Sequence, residues 1–189
     1  MTADGLQSQH KPAPANIAVR PERVEDHAAI HDLTRRAFAP MPYSDGDEQY
    51  LIDALREAGA LSLSLVAEHD QSIVGHVAFS PAFPADGSHG WFTLGPVSAE
   101  PVLQRTGIGR RLIETGLDQL RADGAAGCIL LGNPAYYSRF GFTVRSKLSP
   151  DADHAEFFQI LPFGPADADC VIEFHPLFNQ KHAPETARA

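Results

Sequence analysis

The stretch QRTGIGRRLIETGLDQL, Gln104 to Leu120, joins a glycine turn directly to an amphipathic helix. From residue 108 onward apolar residues recur at helical spacing, and Gly124 follows as a stop signal. The segment before the turn, Trp91 to Ala99, has the composition of a β-strand but is interrupted by Gly95-Pro96. Because proline cannot donate a ladder hydrogen bond, we expect this strand to bulge or to part from a neighbour at that point.

The glycine turn has the features of an anion-binding site. A strand that leads through such a turn into a helix presents unpaired backbone N–H groups and the positive end of a helix dipole. Gly107 and Gly109 let the backbone approach a phosphate closely, and Arg105, Arg110 and Arg111 add positive charge. Pyrophosphate is the ligand that such a turn fits best.

Two better-known phosphate loops do not match these residues. A P-loop requires a lysine directly after its last glycine, and none follows here. A dinucleotide-binding fingerprint requires a third glycine where Leu112 stands. The region before the turn also predicts antiparallel hairpins instead of a first βαβ strand.

The rest of the chain alternates strands and helices and predicts a mixed α/β (α+β) fold. Helices are predicted over 25–38 and 47–58, and a third follows the glycine turn and ends at Asp123, with a short helix or turn at 133–141; strands are predicted over 17–20, 61–67, 72–80, 91–99, 128–131, 142–144 and 170–175. We expect one domain over residues 16–179, between flexible tails at 1–15 and 180–189.

Composition argues against several classes of function. The formal net charge of −9 opposes binding to nucleic acid or to an anionic membrane surface, so an anionic ligand would need a local basic site. The two cysteines, Cys128 and Cys170, lie in apolar runs without disulfide or CxxC spacing, and the nine histidines form no metal-binding motif. These spacings predict a protein without a metal. With no apparent signal peptide or membrane span, a cytoplasmic location is predicted.

The residues that do match a known pattern are Q-x-x-G-x-G, at Gln104, Gly107 and Gly109, preceded by TLGPVSAEP. Here the sequence resembles the GNAT superfamily of acyl-CoA-dependent N-acetyltransferases. IAVRPERVEDHAAI resembles the first strand and helix of that family, and NPAYYSRFGF resembles its short helix ending in Tyr-x-x-x-Gly-Phe. VAFSP, LGPV, LGNPAYYSRFGF and EFHPLFN resemble a bacterial subgroup of mostly uncharacterised acetyltransferases. The resemblance implies a mixed, mostly antiparallel twisted sheet flanked by helices.

The resemblance also implies acetyl-CoA as co-substrate. The backbone of the interrupted strand would pair with the pantetheine arm as if with another strand, and the turn would hold the pyrophosphate. The cofactor-binding residues implied are Val97, Ser98, Ala99, Gln104, Arg105, Thr106, Gly107, Ile108, Gly109, Arg110, Asn133 and Tyr137. Asn133 could cap the short helix, hydrogen-bond a pantetheine amide, or do both.

Acetyl transfer to an amine needs a neutral nucleophile, stabilisation of the oxyanion and a proton for the departing thiolate. The resemblance implies that the amide of Val97 points at the thioester carbonyl and that Tyr137 is the general acid. A reference pKa of about 10 suits tyrosine to that role. Alternatively, Tyr137 packs under the sheet with neighbouring phenylalanines. Tyr136 is set aside because its offset from Gly141 is one residue too long.

The general base is not evident, because residues 91–94 offer no carboxylate or histidine. The candidates are a water relay, His76 and Glu48. The alternative for His76 is a structural histidine within the sheet, and for Glu48 it is a partner of the helix dipole. The acidic segment 43–50 favours a cationic amine if it walls the acceptor pocket, but it also suits a solvated helix start. Residues 145–169 show no clear periodicity and are interpreted as a loop over the acceptor site.

These observations predict an N-acetyltransferase that moves an acetyl group from acetyl-CoA to a primary amine by direct attack in a ternary complex. The alternative is a non-catalytic acyl-CoA-binding module with a regulatory role. The predicted partner is a small-molecule amine or a peptide amine, without nucleic acid or membrane. A homodimer is left open, since many members of the family dimerise.

Overall fold

The structure is a computed structural model of the 189-residue chain, and it describes residues 16–42, 44–164 and 168–182. The tail predicted at 1–15 lies outside the described residues. Of the tail predicted at 180–189, the structure describes 180–182.

Eight strands form one mixed sheet in the order β1-β2-β3-β4-β5-β7-β6, with β8 paired to the far end of β3. The strands are β1 (Ala18–Pro21), β2 (Leu63–His69), β3 (Ser72–Pro84), β4 (Trp91–Ala99), β5 (Gly127–Leu131), β6 (Thr143–Val144), β7 (Phe158–Pro162) and β8 (Ile172–Glu173). Among these described strands only β4 and β5 pair in parallel. The predicted mostly antiparallel sheet is therefore confirmed.

Four α-helices accompany the sheet within the described residues. They are α1 (His27–Phe38), α2 (Glu48–Glu57), α3 (Ile108–Ala122) and the one-turn α4 (Pro134–Tyr137). Single 3-10 turns lie at 24–26, 101–103, 138–140, 146–148, 155–157 and 176–179. None of the helices that the structure describes has the length and apolar character needed to cross a bilayer.

The sheet separates two sets of helices, as the alternation along β2 shows. Leu65 and Ala67 join the apolar cluster that includes the buried face of α3. Val66, between them, packs instead with Ile30 of α1 and Ile52 of α2. Since neighbouring side chains of a strand point to opposite faces, α1 and α2 cover one face and α3 covers the other. Tyr136 and Tyr137 pack against the cluster of α3, which places α4 on that second face.

Two sequence expectations are corrected. Part of the segment 145–169, expected as a loop, is strand β7, which pairs with β5 and with β6. Its five residues, FQILP, are nearly all buried, so they show no alternation from which a strand could be recognised.

Strand β3, expected to end at Ser80, continues through Pro81 to Pro84. Strand β2 pairs with β3 only as far as Phe79, so Pro81 lies on an open edge of β3. Proline lacks an N–H, but among the described residues no partner strand at this position would accept a hydrogen bond from one.

Candidate active site

Strand β4 parts from β5 halfway along its length. Across the described residues of both strands, pairing is confined to Trp91–Thr93 of β4 and Gly127–Ile129 of β5. On its other side β4 bulges, because Gly95 and Pro96 together stand opposite the single residue Ala78 of β3. The interruption that the sequence predicted at Gly95-Pro96 therefore appears both as a bulge and as a parting of strands.

The backbone of β4 beyond the bulge faces the open side. The N–H of Glu100 donates to the carbonyl oxygen of Val74 on β3, at 2.9 Å. Because backbone groups of alternate residues in a strand point the same way, those of Val97 and Ala99 point away from β3. Consistent with this, Nε2 of Gln104 lies 3.4 Å from the carbonyl oxygen of Ala99. Val97 and Ala99 thus offer N–H and C=O groups along the free edge of β4.

The glycine turn forms the N-terminus of α3. Gly107 is the N-cap residue with a φ of +99°, a conformation that glycine adopts without strain. The N–H of Arg111 donates to the carbonyl oxygen of Gly107 at 3.0 Å, so the N–H groups of 108–110 have no acceptor within the helix. The hydroxyl of the buried Thr106 donates to the carbonyl oxygen of Leu103 at 2.6 Å and fixes the turn. The turn therefore presents unpaired donors at the positive end of α3.

Part of the positive charge expected at this turn is already neutralised or used. Nε of Arg110 pairs with Glu114 at 2.8 Å. Nη1 of Arg111 donates to the carbonyl oxygen of Ile17 at 2.6 Å, which ties α3 to the start of β1. Arg105 is exposed and has a φ of +62°. Arg110 and Arg111 therefore contribute less positive charge and fewer free donors to an anion site than their residue types alone suggest.

Asn133 and Ser98 have packing roles in addition to any contact with a ligand. Oδ1 of Asn133 accepts a hydrogen bond from the N–H of Ala135 at 3.0 Å and so caps α4, which leaves its amide nitrogen available to a ligand. The hydroxyl of Ser98 is buried and lies 3.2 Å from Oγ1 of Thr34 on α1. Ser98 therefore contributes to the α1 face, while its neighbours in β4 line the open edge.

Tyr137 lies against Gly132, directly after the end of β5. A Cβ atom on Gly132 would stand 2.4 Å from Cε2 of Tyr137, so the glycine allows the ring to lie against the chain. The ring centroid is 6.1 Å from that of Phe142 and 6.3 Å from that of Phe140. The ring thus has the packing contacts of the structural alternative.

Tyr136, which sequence spacing set aside, reaches the turn. A Cβ atom on Gly109 would lie 3.5 Å from the hydroxyl oxygen of Tyr136 and 3.9 Å from Cγ1 of Val97. Arg139 lies over the Tyr136 ring, with Cζ 4.6 Å from the centroid. Burial raises the pKa of Tyr136, so its hydroxyl stays protonated and able to donate near pH 7. The contact depends on how α4 packs against α3, and no spacing in the sequence indicates it.

His76 is buried in the sheet and distant from solvent. Its side chain is 0% exposed, and Nε2 lies 2.8 Å from the hydroxyl of Ser64. Because the Ser64 hydroxyl donates its single proton to Glu22, its oxygen accepts from His76, which therefore carries a proton on Nε2. Burial lowers the pKa of His76, so the ring is neutral at pH 7. These contacts favour the structural histidine over a general base.

The acidic segment at the start of α2 is partly engaged locally. The carboxylate of Glu48 accepts a hydrogen bond from the hydroxyl of Ser44 at 2.7 Å. Oδ2 of Asp47 accepts one from the N–H of His182 at 3.2 Å. Tyr43 lies outside the described residues. These contacts favour a stabilised helix start for Glu48 and Asp47 over roles as free charges in a pocket.

One group of potential metal ligands occurs within the described residues, at the far end of β3. Ligand atoms of Asp86, Asp169 and Cys170 lie within 4.8 Å of one another, and both carboxylates are exposed. The other thiol, Cys128, is buried, and burial raises its pKa. Neither feature adds a group to the gap between β4 and β5.

Comparison with known proteins places the chain in a family. Residues 27–142 match the acetyltransferase (GNAT) family, and the chain belongs to it. The chain is 38% identical over 127 residues to the uncharacterized N-acetyltransferase YhbS of Escherichia coli K12, covering 67% of this chain and 73% of that protein. The resemblance inferred from the glycine turn is thereby confirmed.

Solved structures with the same fold include two that were crystallised with a cofactor. A GNAT family acetyltransferase from Brucella melitensis in complex with acetyl-CoA has a TM-score of 0.77 and 45% identity, over 86% of this chain and 98% of that chain. YhbS from Escherichia coli in complex with CoA has a TM-score of 0.80 and 31% identity, over 90% of this chain and 97% of that chain.

Proposed function

We propose that the protein transfers an acetyl group from acetyl-CoA to a primary amine, by direct attack within a ternary complex. The observation that carries this proposal is the continuity of two surfaces. The free edge of β4 at Val97 and Ala99 leads to the N-terminal turn of α3, where unpaired N–H groups suit phosphates. The relatives crystallised with acetyl-CoA and with CoA support the same ligand.

The described residues fit such a co-substrate. A pantetheine arm can pair with the N–H and C=O groups of β4 as an added strand. The residues that would hold the molecule are the backbone of Val97, Ser98 and Ala99, the turn of Gln104, Arg105, Thr106, Gly107, Ile108, Gly109 and Arg110, and the side chains of Asn133 and Tyr137. When bound, acetyl-CoA supplies the activated acetyl group as a thioester.

Two groups of this chain would then assist the transfer. The N–H of Val97 points to the open side and would stabilise negative charge that develops on the carbonyl oxygen. Tyr137, at the end of β5, would donate its hydroxyl proton to the departing thiolate. Because the Val97 contact uses backbone, side-chain substitution tests the tyrosine better.

Deprotonation of the amine is assigned to water. An alkyl ammonium has a pKa of about 10.4 and must become neutral before attack. His76 has no exposed surface through which to meet an amine, and Glu48 is hydrogen-bonded to Ser44. The acceptor is therefore expected to react faster as pH rises towards its own pKa.

The test is release of free CoA from acetyl-CoA across a panel of small amines and peptides, with wild type and Tyr137→Phe. We expect release with one class of amine and a turnover number about 100-fold lower in the variant, the range of a lost general acid. The Michaelis constant for acetyl-CoA should change little. Unfolding of Tyr137→Phe by heat serves as the control, since the retained ring should keep its packing.

Each result separates the candidate functions. Equal turnover in both proteins would remove the general-acid role and leave the transferase. If no amine supports release while acetyl-CoA still raises the midpoint of thermal unfolding, the non-catalytic acyl-CoA-binding module becomes the better description.

A further inference from the structure

We propose that Tyr136 and Arg139 form a second arm of the phosphate site, in which the Tyr136 hydroxyl and the Arg139 guanidinium bind a phosphate group of the co-substrate together with the N-terminus of α3. The inference rests on the proposed function and adds two residues that the sequence pattern of the turn does not contain.

The hydroxyl of Tyr136 lies at the first turn of α3. It is the non-local atom closest to the position that a Cβ of Gly109 would take, at 3.5 Å. Gly109 is the second residue of α3, and its N–H is one of the donors without an acceptor in the helix. A phosphate bound by those donors would therefore have a tyrosine hydroxyl beside it. A hydroxyl donating to a charged oxygen forms one of the stronger hydrogen bonds in proteins.

Arg139 is held against the same tyrosine by two contacts. Its Cζ lies 4.6 Å from the centroid of the Tyr136 ring, and its Nε donates to the carbonyl oxygen of Tyr136 at 2.8 Å. These contacts use the face and one edge of the guanidinium, so the two Nη groups can still donate to an anion. A planar guanidinium fixed in this way suits a phosphate, because little side-chain entropy remains to be lost on binding.

Among the described residues, no carboxylate neighbour neutralises the charge of Arg139. Within the part of the chain that the structure describes, no carboxylate forms an ion pair with it, whereas Arg110 at the turn is paired with Glu114 at 2.8 Å. In a protein of net charge −9, an anionic ligand depends on such a local cation.

Arg121, near the C-terminus of α3, shows what a purely structural arrangement of the same kind looks like. Its Cζ lies 4.7 Å from the centroid of Phe163, so it too stacks on an aromatic ring. Its Nη1, however, is paired with Asp118 at 3.1 Å. The two arginines share the stacking contact, but among the described residues only Arg121 has its own carboxylate. The ring under Arg139 is the one whose hydroxyl lies at the N-terminus of α3.

The experiment compares Arg139→Gln, Tyr136→Phe and the matched control Arg121→Gln, which removes the same charge and stacking from the other end of α3. Isothermal titration gives the dissociation constants for CoA, dephospho-CoA and pantetheine, which lacks phosphate. We expect Arg139→Gln to weaken CoA binding about tenfold or more and Tyr136→Phe about fivefold, the loss of hydrogen bonds to a charged group. Pantetheine binding, and CoA binding by Arg121→Gln, should stay within about twofold of wild type.

The measurement with dephospho-CoA identifies which phosphate Tyr136 and Arg139 bind. Equal losses for CoA and dephospho-CoA place the pyrophosphate at this arm, and a loss confined to CoA places the 3′-phosphate there. Arg139→Lys, which retains the charge but not the fork of donors, should recover part of the lost affinity and guards against a folding defect in Arg139→Gln.

Unchanged CoA affinity in both Tyr136→Phe and Arg139→Gln would overturn this inference while leaving the proposed function standing. A wild-type protein that binds neither CoA nor acetyl-CoA would overturn both. A loss of pantetheine binding equal to the loss of CoA binding would also overturn it, because the effect would then not involve phosphate.

Discussion

Glu22 is the centre of a partly buried polar network between the sheet and α2. Arg56 donates to both of its carboxylate oxygens, at 2.9 Å and 3.2 Å, and Ser64 donates to it as well. Nε2 of His76 lies 3.7 Å from the same carboxylate. Arg56 also pairs with Asp53 at 2.7 Å. The network fixes the first residues after β1 against α2 and holds His76 in one orientation.

Replacing Glu22 by glutamine should make stability less dependent on pH. Burial alone would raise the pKa of Glu22, but His76, Arg56 and Ser64 hold it well below its usual range. A pKa lowered by folding adds stability above the unfolded value of about 4.3, and this stability is lost as pH falls below it. We expect Glu22→Gln to lower the free energy of unfolding by about 2 kcal/mol at pH 7, and the difference to shrink below about pH 4.

Urea unfolding between pH 3 and pH 8 measures this difference. The matched control is Glu25→Gln. The carboxylate of Glu25 is 71% exposed and lies 3.9 Å from Arg23, so the free energy of unfolding of this variant should match that of wild type. A deficit in Glu22→Gln of the same size at every pH would mean that the carboxylate has no lowered pKa in the folded protein.

At the level of single residues, the sequence predicted what local spacing can encode. The turn at Gly107 and the interruption at Gly95-Pro96 follow from the conformations available to glycine and proline. The contact of Tyr136 with Gly109 was not predicted, because it joins residues on two elements whose relative position depends on packing. The roles of Val97 and Tyr137 remain predictions.

At the level of elements, α3 packs against β3 with Gly116 lying on the ring of Phe79. A Cβ atom there would lie 2.3 Å from a ring atom of Phe79, which is fully buried. Gly116→Ala should therefore lower the free energy of unfolding by about 1–2 kcal/mol, because overpacking outweighs the better helix propensity of alanine. The control Thr115→Ala, at the exposed neighbouring position, should be neutral or slightly stabilising. Urea unfolding measures the free energy of unfolding of both variants. A Gly116→Ala protein more stable than wild type would show that the Phe79 ring can move aside.

The elements divide into those that the sequence could define and those that it could not. Helix α3 (Ile108–Ala122) has a long apolar face with a glycine at each end, and its observed end at Ala122 falls one residue before the predicted end at Asp123. Strand β7 has five residues and no alternation, since it is covered on both faces. Its place between β5 and β6 depends on pairing with residues distant in sequence, which no local pattern contains.

For the whole molecule, binding of acetyl-CoA should raise the thermal stability of the chain. A ligand that binds only the folded state at 100 times its dissociation constant adds about 2.7 kcal/mol. For a domain of this size that corresponds to a rise in Tm of roughly 5–10 °C. Differential scanning fluorimetry with acetyl-CoA, pantetheine and ADP measures the effect. An equal rise with ADP would indicate non-specific phosphate binding instead of recognition along β4.

The parting of β4 from β5 has a consequence for the order in which two reactants can arrive. A sheet normally forms a barrier between its two faces, but a gap between neighbouring strands gives both faces access to one point. A thioester laid along β4 from the side of α3 and an amine entering from the side of α1 and α2 would not obstruct each other. Either could bind first, and substitutions around α1 and α2 could change which amine is accepted without altering the turn proposed to bind the phosphates.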